Sequence, residues 1–300
     1  MMSIDESFFV HPGGSPANSV HDFEYSYQAE ITNVYPLTAT EKLYQIQICD
    51  EQRRHDFVFK PGQFVMLELP GIGEGPFSIS SSPTRRGDLE LCIRGVGNMT
   101  NFLARVQRGT KVGISGPFGT HFPVDDMVGD DILLIAGGLG IVPLRSPILS
   151  VLERRSRYGQ VDIVYGARRP SELLFGYQYE EWKQFDINLD IIVDEAEPGW
   201  RGPVGLITEI LKQRIEKGRA RDLRQRTSAI VCGPPIMFKF VCDQLTQEAG
   251  LPMEKMFVSL ERRMHCGRGK CCRCNIGSTY TCLEGPVFDY WSVLNLKEAI

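Results

Sequence analysis

Short alternating stretches of apolar and polar residues fill the chain from Tyr25 to about Val124. Residues 42–48, 63–69 and 89–93 alternate with a period of two, and glycine and proline residues separate them. This alternation is typical of strands that bury one face. About six such strands, with one short helix at 99–106, predict a small antiparallel β-barrel over residues 25–125.

The pattern changes at Asp131. Four apolar runs, at 131–138, 161–168, 187–195 and 228–235, end in turn residues, and the stretches between them are long enough for helices. Strands that are buried on both faces and alternate with helices predict an α/β unit with a doubly wound parallel sheet over residues 126–252. Residues 253–300 carry most of the cysteines on loop-rich sequence and predict a small C-terminal lobe. Residues 1–24, rich in Gly, Pro, Ser and Asn, predict a flexible or partner-docked tail.

Length and composition exclude several classes of protein. The 300 residues, 42% hydrophobic and 23% charged, fit two globular domains with a small third, and the net charge of −4 argues against a broad nucleic-acid-binding surface. The longest apolar run, 132–144, has 13 residues, whereas a membrane span needs about 20. The first residues have neither a basic stretch nor an apolar core and do not predict a secretory signal. We therefore expect a cytoplasmic protein without a membrane span.

Five of the nine cysteines fall between residues 266 and 282, which favours a metal site over scattered disulfide bonds. The spacing C-x4-C-x2-C-x7-C matches the plant-type [2Fe–2S] loop and predicts as ligands Cys266, Cys271, Cys274 and Cys282. Gly267 and Gly269 would let the backbone turn tightly around such a cluster. Structural zinc is the alternative, although only the Cys271–Cys274 spacing fits a zinc knuckle. Cys272 fits no ligand position.

Two strand ends of the predicted α/β unit suit a dinucleotide. Gly138 and Gly140 follow a buried strand, and Pro143 stands in the first turn of the next helix. Small residues there would let a pyrophosphate approach the helix N-terminus, where free N–H groups favour anions. A plain tight turn is the alternative. The end of the fourth apolar run adds a thiol and a bare glycine backbone at the same edge of the sheet, in Cys232 and Gly233.

Two segments of the predicted barrel could receive a second cofactor. Residues 75–83 place an aromatic ring and three hydroxyl groups on a β-segment. Residues 93–103 place Gly95 and Gly97 before a short helix whose first turn contains Thr100, and such a helix end favours anions. A barrel turn with a helix cap is the alternative for either segment alone. Their combination with a dinucleotide sheet and a one-electron cluster favours redox chemistry.

Taken together, these motifs resemble the ferredoxin–NADP⁺ reductase superfamily, from about residue 25 to the C-terminus. The resemblance is carried by FKPGQFVMLELPG, SSPTRRGDLELCIR, GPFGTHFP, AGGLGIVPLRS, YGAR, CGPP, LERRMHCGRGKC and CLEGPVFDYW. The chain is most similar to the branch with a C-terminal [2Fe–2S] lobe, and within it to the gamma subunits of cytoplasmic NiFe hydrogenases. That branch also includes the corresponding subunit of anaerobic sulfite reductase and the electron-transfer subunit of dihydroorotate dehydrogenase.

The resemblance implies FAD in the barrel, with the flavin lined by Phe77, Ser78, Ile79 and Ser80. It implies that the FAD pyrophosphate is held by Gly97, Asn98, Met99 and Thr100. It implies a nicotinamide nucleotide at Gly138, Leu139, Gly140, Pro143, Cys232, Gly233 and Pro234. Cys232 is the candidate catalytic residue, expected to pack near the nicotinamide and polarise it rather than attack.

One departure from the family concerns charge. Gly75 stands where the family has an arginine, so Arg94 is the candidate to compensate the FAD phosphates, and FMN stays open as the flavin. Arg168 and Arg169 follow a predicted strand and could grip a 2′-phosphate, which slightly favours NADPH over NADH. The same pair could equally form a solvated turn.

These observations lead to one functional hypothesis and two rivals. We expect an NAD(P)H-dependent flavin oxidoreductase (diaphorase) subunit that moves electrons between NAD(P)H, FAD and a [2Fe–2S] cluster. Its partners would be ferredoxin-like and catalytic, hydrogenase-like subunits in a hetero-oligomer. The first rival is the corresponding subunit of a sulfite reductase or dihydroorotate dehydrogenase. The second is a non-enzymatic nucleotide-binding subunit with structural zinc.

Overall fold

The computed structural model describes residues 26–216 and 226–296. The predicted N-terminal tail, residues 1–24, lies outside the described residues. The described chain forms two large sheets and one small hairpin.

Six antiparallel strands form the first sheet, as the alternating pattern predicts. In chain order they are β1 (Tyr27–Pro36), β2 (Glu41–Ile48), β3 (Phe64–Leu69), β4 (Gly73–Ser78), β5 (Asp88–Arg94) and β6 (Lys111–Phe118). Their order in the sheet is β4-β3-β6-β1-β2-β5. The two outer strands meet where the Ser80 amide, just beyond β4, donates to the Glu90 carbonyl on β5 at 2.9 Å. This bond closes the sheet into a barrel, which also carries the short helices α1 (Glu51–Asp56) and α2 (Asn98–Leu103).

The second sheet alternates strands with helices. Its elements are β7 (Asp131–Gly137), α3 (Ile141–Leu152), β8 (Val161–Ala167), α4 (Tyr179–Lys183), β9 (Asn188–Val193), α5 (Ile207–Glu216), β10 (Thr227–Cys232), α6 (Pro235–Gln247) and β11 (Met256–Ser259). These five strands pair in parallel in the order β11-β10-β7-β8-β9. Leu134 of β7 packs with α3 on one face of the sheet, and Leu133 and Ile135 pack with α5 and α6 on the other. The expected barrel and doubly wound sheet are both confirmed.

The C-terminal residues return to the second sheet. After the hairpin of β12 (Asn275–Ile276) and β13 (Thr279–Tyr280), strand β14 (Val287–Asp289) pairs antiparallel with β11, and α7 (Tyr290–Leu294) follows. The chain therefore leaves the sheet at the end of β11 and returns to it as β14, the neighbour of β11. The residues between these two strands, 260–286, are here called the cysteine segment. The predicted domain limits stay predictions.

A buried ion pair joins the barrel to the α/β unit. Arg145 of α3 and Glu90 of β5 are each 4% exposed, and Nη1 of Arg145 donates to Oε2 of Glu90 at 2.6 Å. The same Nη1 donates to the Ser80 carbonyl at 3.0 Å, and Nε of Arg145 donates to Gln178 at 2.7 Å. Arg85 donates to the second oxygen of Glu90 at 2.5 Å. Both charges are thus paired and hydrogen-bonded, which buried charges require.

The variant Glu90→Gln tests this ion pair, because it removes the carboxylate charge at nearly constant size and leaves Arg145 buried without a counter-charge. We expect urea unfolding to report a loss of about 3–5 kcal/mol. The matched control is Glu30→Gln, which breaks the exposed Lys111–Glu30 pair and should cost less than about 1 kcal/mol. Equal, small losses in both variants would contradict a stabilising role for the Arg145–Glu90 pair.

The same pair gives a pH dependence. Burial disfavours the charged form of Glu90, but the Arg145 guanidinium outweighs this effect and holds the pKa of Glu90 below its ordinary value of 4.5. This stabilisation is present above the pKa of the unfolded state and is lost as pH falls through the lower pKa of the folded state. Between about pH 5 and pH 3, Glu90→Gln should therefore lose less stability than the parent protein.

Candidate functional site

The predicted flavin-lining segment lies at the edge of the barrel. Phe77 and Ser78 end β4, are half-buried, and pair with Val65 and Phe64 of β3. The next residues turn inward: Ile79 and Ser80 are fully buried, and the Ser80 hydroxyl donates to the Glu90 carbonyl at 2.9 Å. Of the four predicted residues, Phe77 and Ser78 are therefore the ones accessible to a ligand. Ile79 and Ser80 fix the end of the strand.

Helix α2 lies beside this strand, as the predicted cofactor site requires. A Cβ on Gly75 would lie 3.5 Å from the sulfur of Met99 and 3.6 Å from a ring carbon of Phe77. At the start of the helix, Oγ1 of Thr100 accepts from the amides of Val96 and Gly97, each at 2.9 Å. The first N–H groups of a helix have no partner within it. The fold thus places the start of α2, with Asn98, next to an aromatic strand end.

Arg94 already has a counter-charge. Its Nε donates to Glu41, which is 1% exposed and also accepts from Thr40 at 2.9 Å. Burial raises the pKa of Glu41, but hydrogen bonds from Thr38, Arg94 and Thr40 outweigh burial and hold that pKa below its ordinary value. Because the carboxylate stays ionised, Arg94 has only part of its charge left to offer a phosphate. Its predicted role with FAD stays a prediction.

The glycine turn after β7 meets the turn after β10. A Cβ on Gly140 would overlap the carbonyl oxygen of Cys232, and one on Gly137 would lie 2.5 Å from the sulfur of Met237. Gly138, with a φ of +54°, has open space where its Cβ would be. The glycines therefore serve a close backbone approach, beyond what a plain tight turn needs. The strands that follow β7 in the chain, β8 and β9, lie on one side of it, and β10 and β11 lie on the other side. Ligands of open α/β sheets bind at such a switch point, here between β7 and β10.

Cys232 lies at the end of β10 and is 3% exposed. Burial, with a smaller effect of Glu261, raises the pKa of its thiol well above the ordinary value, and the thiol contacts the side chain of Ser259 on β11. A thiol that stays protonated is a poor nucleophile. This agrees with a packing role, and its predicted place near the nicotinamide stays a prediction. Gly233 and Pro234 follow it in the turn, next to Gly140 and Gly137.

The two arginines after β8 share one carboxylate. Nε and Nη2 of Arg169 donate to Glu195 at 2.8 and 2.6 Å, and Nη2 of Arg168 lies 3.5 Å from it. The turn after β8 and the turn after β9 are also joined by backbone hydrogen bonds, which the amides of Asp194 and Glu195 donate to carbonyls at the end of β8. A carboxylate therefore occupies the donors that a 2′-phosphate would need.

The four predicted ligand cysteines lie together and fall into two pairs. The thiols of Cys266 and Cys271 are within hydrogen-bonding reach of each other, and so are those of Cys274 and Cys282. Cys274 and Cys282 are buried, whereas Cys266 and Cys271 are half-buried. All four are free thiols. No three His, Cys, Asp or Glu side chains within residues 26–216 and 226–296 converge as ligands of a single metal ion.

Backbone N–H groups are directed at the sulfur atoms. The amides of Arg268 and Lys270 donate to Cys266 at 3.4 and 3.3 Å, and the amide of Gly269 donates to Cys282 at 3.1 Å. The loop can point these amides inward because Gly267 and Gly269 have φ values of +66° and +71°. Burial raises the pKa of Cys266, but the backbone hydrogen bonds outweigh burial and lower it to about 7. The loop therefore favours a thiolate at this position.

The cysteine segment packs on the barrel. Cys274 and Cys282 form one apolar cluster with Met264 and with Phe64 and Met66 of β3. The side chain of Thr120, beyond β6, accepts from the amide of Val287 at 3.0 Å and donates to its carbonyl at 2.6 Å. The thiols therefore lie against the strand that pairs with the predicted flavin-lining strand.

Sequence reasoning missed Arg145 and Glu90, which hold the barrel against the α/β unit. A signal for Arg145 was present, because it is the one charged residue between 132 and 152, a stretch otherwise apolar or small. Its partner could not be read from the sequence, since Glu90 is 55 residues away. Phe64 and Met66 were likewise read as ordinary strand residues, although they form the contact with the cysteines.

Three family models match successive parts of the chain. The oxidoreductase FAD-binding domain matches residues 30–122, and the oxidoreductase NAD-binding domain matches residues 134–243. The iron–sulfur cluster binding domain of dihydroorotate dehydrogenase B matches residues 261–294. The three matches coincide with the barrel, the α/β unit and the cysteine segment.

Relatives cover nearly the whole chain. Sulfhydrogenase 1 subunit gamma of Pyrococcus furiosus is 40% identical over 276 residues, covering 90% of this chain and 92% of that protein. Sulfhydrogenase 2 subunit gamma of the same organism is 37% identical over 286 residues, covering 92% and 98%. The chain belongs to the family of these sulfhydrogenase gamma subunits. The family extends to the probable dihydroorotate dehydrogenase B (NAD(+)) electron transfer subunit of Methanocaldococcus jannaschii, which is 35% identical over 78% of this chain and 80% of that protein.

Solved structures share the fold of this gamma-subunit relative. The structure of an NADH-dependent reduced ferredoxin–NADP oxidoreductase has a TM-score of 0.66 at 24% identity, covering 89% of this chain and 91% of that chain. A ferredoxin–NADP⁺ reductase from Neisseria gonorrhoeae, solved with FAD and NADP bound, has a TM-score of 0.61 at 25% identity over 74% of this chain and 90% of that chain. The expected resemblance is confirmed. Among the described helices, none is long and apolar enough to cross a membrane.

The contact between the two strand ends can be tested with Gly140→Ala, whose new methyl group would overlap the Cys232 carbonyl. We expect a loss of about 3 kcal/mol or more in unfolding free energy and weaker binding of NAD(P)H, because the turns must move apart. The matched control is Gly138→Ala, where the methyl group has free space and only the positive φ costs about 1–2 kcal/mol. Urea unfolding compares the two variants, and isothermal titration compares NAD(P)H binding by Gly140→Ala with that by the parent protein, since Gly138 itself lies in the candidate nucleotide site. Equal effects would contradict the close approach at Gly140.

Proposed function

We propose that this chain is an NAD(P)H-dependent electron-transfer subunit. It would take electron pairs from NAD(P)H at FAD and pass them singly, through a [2Fe–2S] cluster, to ferredoxin-like and catalytic partners in a hydrogenase complex. The observation that carries the proposal is the packing of Cys274 and Cys282 on β3, the strand paired with Phe77 and Ser78 of β4. A cluster on these thiols and a flavin at that strand end would lie on neighbouring strands of one barrel.

The donor set fits an iron–sulfur cluster. Two pairs of free thiols, with backbone N–H groups directed at their sulfur atoms, suit two irons with two thiolates each. A structural zinc ion would need four ligands converging on one point. The two-pair arrangement therefore supports the iron–sulfur reading over the zinc alternative. Cys272, exposed and bonded to the Tyr280 hydroxyl at 3.3 Å, stands outside both pairs.

The chain's own residues would mainly bind and orient. When bound, FAD supplies the conversion between electron pairs and single electrons, and the cluster supplies one-electron transfer. Phe77 offers a ring face to an isoalloxazine, and the start of α2 offers free amides to its phosphates. The turn at Gly138 and Gly140 leaves room for the nucleotide's pyrophosphate at the start of α3. Cys232, protonated and buried, adds an apolar wall without reactive charge.

The hydrogenase assignment rests on the extent of similarity. The two sulfhydrogenase gamma subunits are 40% and 37% identical and cover at least 90% of this chain. The dihydroorotate dehydrogenase B electron transfer subunit of M. jannaschii is 35% identical over 78% of it. That subunit is the second candidate, favoured by the match of its iron–sulfur domain to residues 261–294. Identification of the subunits that co-purify with the native chain separates the two.

The cofactor proposal is tested by substitution of matched cysteines. Purified protein should contain flavin and about two irons per chain, and should reduce benzyl viologen with NAD(P)H. Cys274→Ser should lose the iron and the paramagnetic signal of the reduced cluster while it keeps the flavin. Cys272→Ser is the control and should keep both, because Cys272 is outside the pairs. One zinc and no iron in the purified protein would refute the proposal.

The nucleotide preference is tested at Glu195. Glu195→Gln removes the carboxylate that holds Arg168 and Arg169, so both guanidinium groups become available to a 2′-phosphate. We expect the ratio of kcat/KM for NADPH to that for NADH to rise by roughly tenfold. The variant Glu172→Gln is the control, since Glu172 lies in the same turn and forms no ion pair with either arginine. An unchanged ratio would place the 2′-phosphate elsewhere.

A further inference from the structure

Basic side chains are concentrated on the cysteine segment. Residues 261–280 contain four arginines and one lysine against a single glutamate, in a chain whose net charge is −4. Three of these side chains, here called the basic rim, are exposed: Arg263, Lys270 and Arg273. Within the described ranges 26–216 and 226–296, no carboxylate forms an ion pair with any of the three. The rim therefore has positive charge available for another molecule.

Two residues of the rim adjoin an accessible thiol in the chain. Cys266 and Cys271 are the half-buried members of the four, whereas the other two are covered by the barrel. Lys270 directly precedes Cys271, and its amide donates to the sulfur of Cys266 at 3.3 Å. Arg273 follows Cys271 by two residues. The exposed charges of Lys270 and Arg273 therefore lie within two residues of Cys271, one of the two thiols that a partner protein can approach.

A large apolar side chain adjoins the same loop. Leu283 is 53% exposed, and a Cβ on Gly269 would overlap its side chain, so Leu283 lies directly against the loop. Protein interfaces commonly place an apolar anchor inside a polar rim. The combination of an exposed leucine with unpaired cations is typical of a docking surface rather than of an ordinary solvated face.

The basic charge has a competing explanation, because thiolates are negative and nearby cations could serve only to offset them. The sulfur atoms, however, already accept from the amides of Arg268, Gly269 and Lys270. Among the described residues, no side chain of the rim donates a hydrogen bond to these sulfur atoms. Compensation of thiolate charge therefore accounts for the amides better than for the rim.

We propose that the basic rim docks an acidic electron-carrier protein, one whose redox centre lies beneath a surface rich in carboxylates. The inference rests on the proposed function, since it names the partner of the candidate cluster. The rim's field would speed the encounter and orient the carrier so that its centre faces Cys266 and Cys271. One electron then leaves the reduced cluster and reduces the carrier's centre, with no bond broken and no proton transferred.

The experiment uses the full-length, cofactor-loaded protein reduced with NAD(P)H. Stopped-flow absorbance follows the reduction of two haem proteins of opposite surface charge, cytochrome b5 (acidic) and cytochrome c (basic). With rising ionic strength, the rate constant for cytochrome b5 should fall by roughly tenfold or more, and that for cytochrome c should rise or stay constant. Identical salt dependence for the two acceptors would overturn the proposal.

A charge-neutralised protein provides the second arm. The combined variant Arg263→Gln, Lys270→Gln, Arg273→Gln should reduce cytochrome b5 roughly tenfold more slowly at low salt, with viologen reduction and iron content unchanged. The control variant Arg108→Gln, Lys183→Gln, Lys212→Gln removes equal charge at exposed positions elsewhere and should act like the parent. If the triple variant fails to load iron, Arg263→Gln alone, three residues before the first ligand, should show part of the slowing.

The outcomes separate this inference from the proposed function. If NAD(P)H reduces neither viologen nor either cytochrome in the parent protein, the proposed function fails and the inference with it. If viologen is reduced normally but neutralising the rim leaves the cytochrome b5 rate unchanged, only the inference fails. A variant that shifts the midpoint potential of the cluster, without changing the salt dependence, would show that the rim tunes the cluster and would also overturn the docking role.

Discussion

The buried pair of Arg145 and Glu90 fixes how the two large parts of the molecule face each other. Arg145 belongs to α3, the helix that begins at the glycine turn, and Glu90 belongs to β5, which holds the end of the predicted flavin-lining segment. The buried charge of Arg145 depends on Glu90 for its counter-charge, so the barrel and the α/β unit are stable mainly in the orientation that pairs them. The same guanidinium reaches the Ser80 carbonyl. The glycine turn after β7 and the edge of the barrel are therefore positioned by one side chain.

Strand β3 serves two sides of the barrel at once. Because side chains alternate along a strand, Val65 and Leu67 fill the barrel interior, whereas Phe64 and Met66 face the cysteine segment. Its neighbour β4 carries Phe77 about 4.8 Å away in the direction of the hydrogen bonds. A short strand with ordinary alternation thus brings two candidate cofactor sites close together without any specialised linker.

Local patterns predicted the parts of the fold that depend on local chemistry. The alternation around Tyr44 and the apolar run before Gly138 gave the barrel and the parallel sheet, and cysteine spacing brought out the four paired thiols. The same sequence patterns did not reveal which distant segments contact each other. The charge on Arg94 looked free because Glu41 lies on a neighbouring strand, and Ser80 looked accessible because its bond to Glu90 requires the barrel to close. The first contact spans 53 residues, which no local window contains, and the second joins two outer strands that meet only when the barrel closes.

The way in which the cysteine segment is attached has an evolutionary consequence. It starts after β11 and ends at β14, where Ser259 and Val287 lie opposite each other in the two strands and the Leu260 amide donates to the Pro286 carbonyl at 2.9 Å. The two ends of the excursion are therefore adjacent, and the loop between them can lengthen, shorten or be exchanged without altering the register of the parent sheet. A candidate metal-binding segment attached in this way can be exchanged as one unit, because the parent sheet already holds its two ends together.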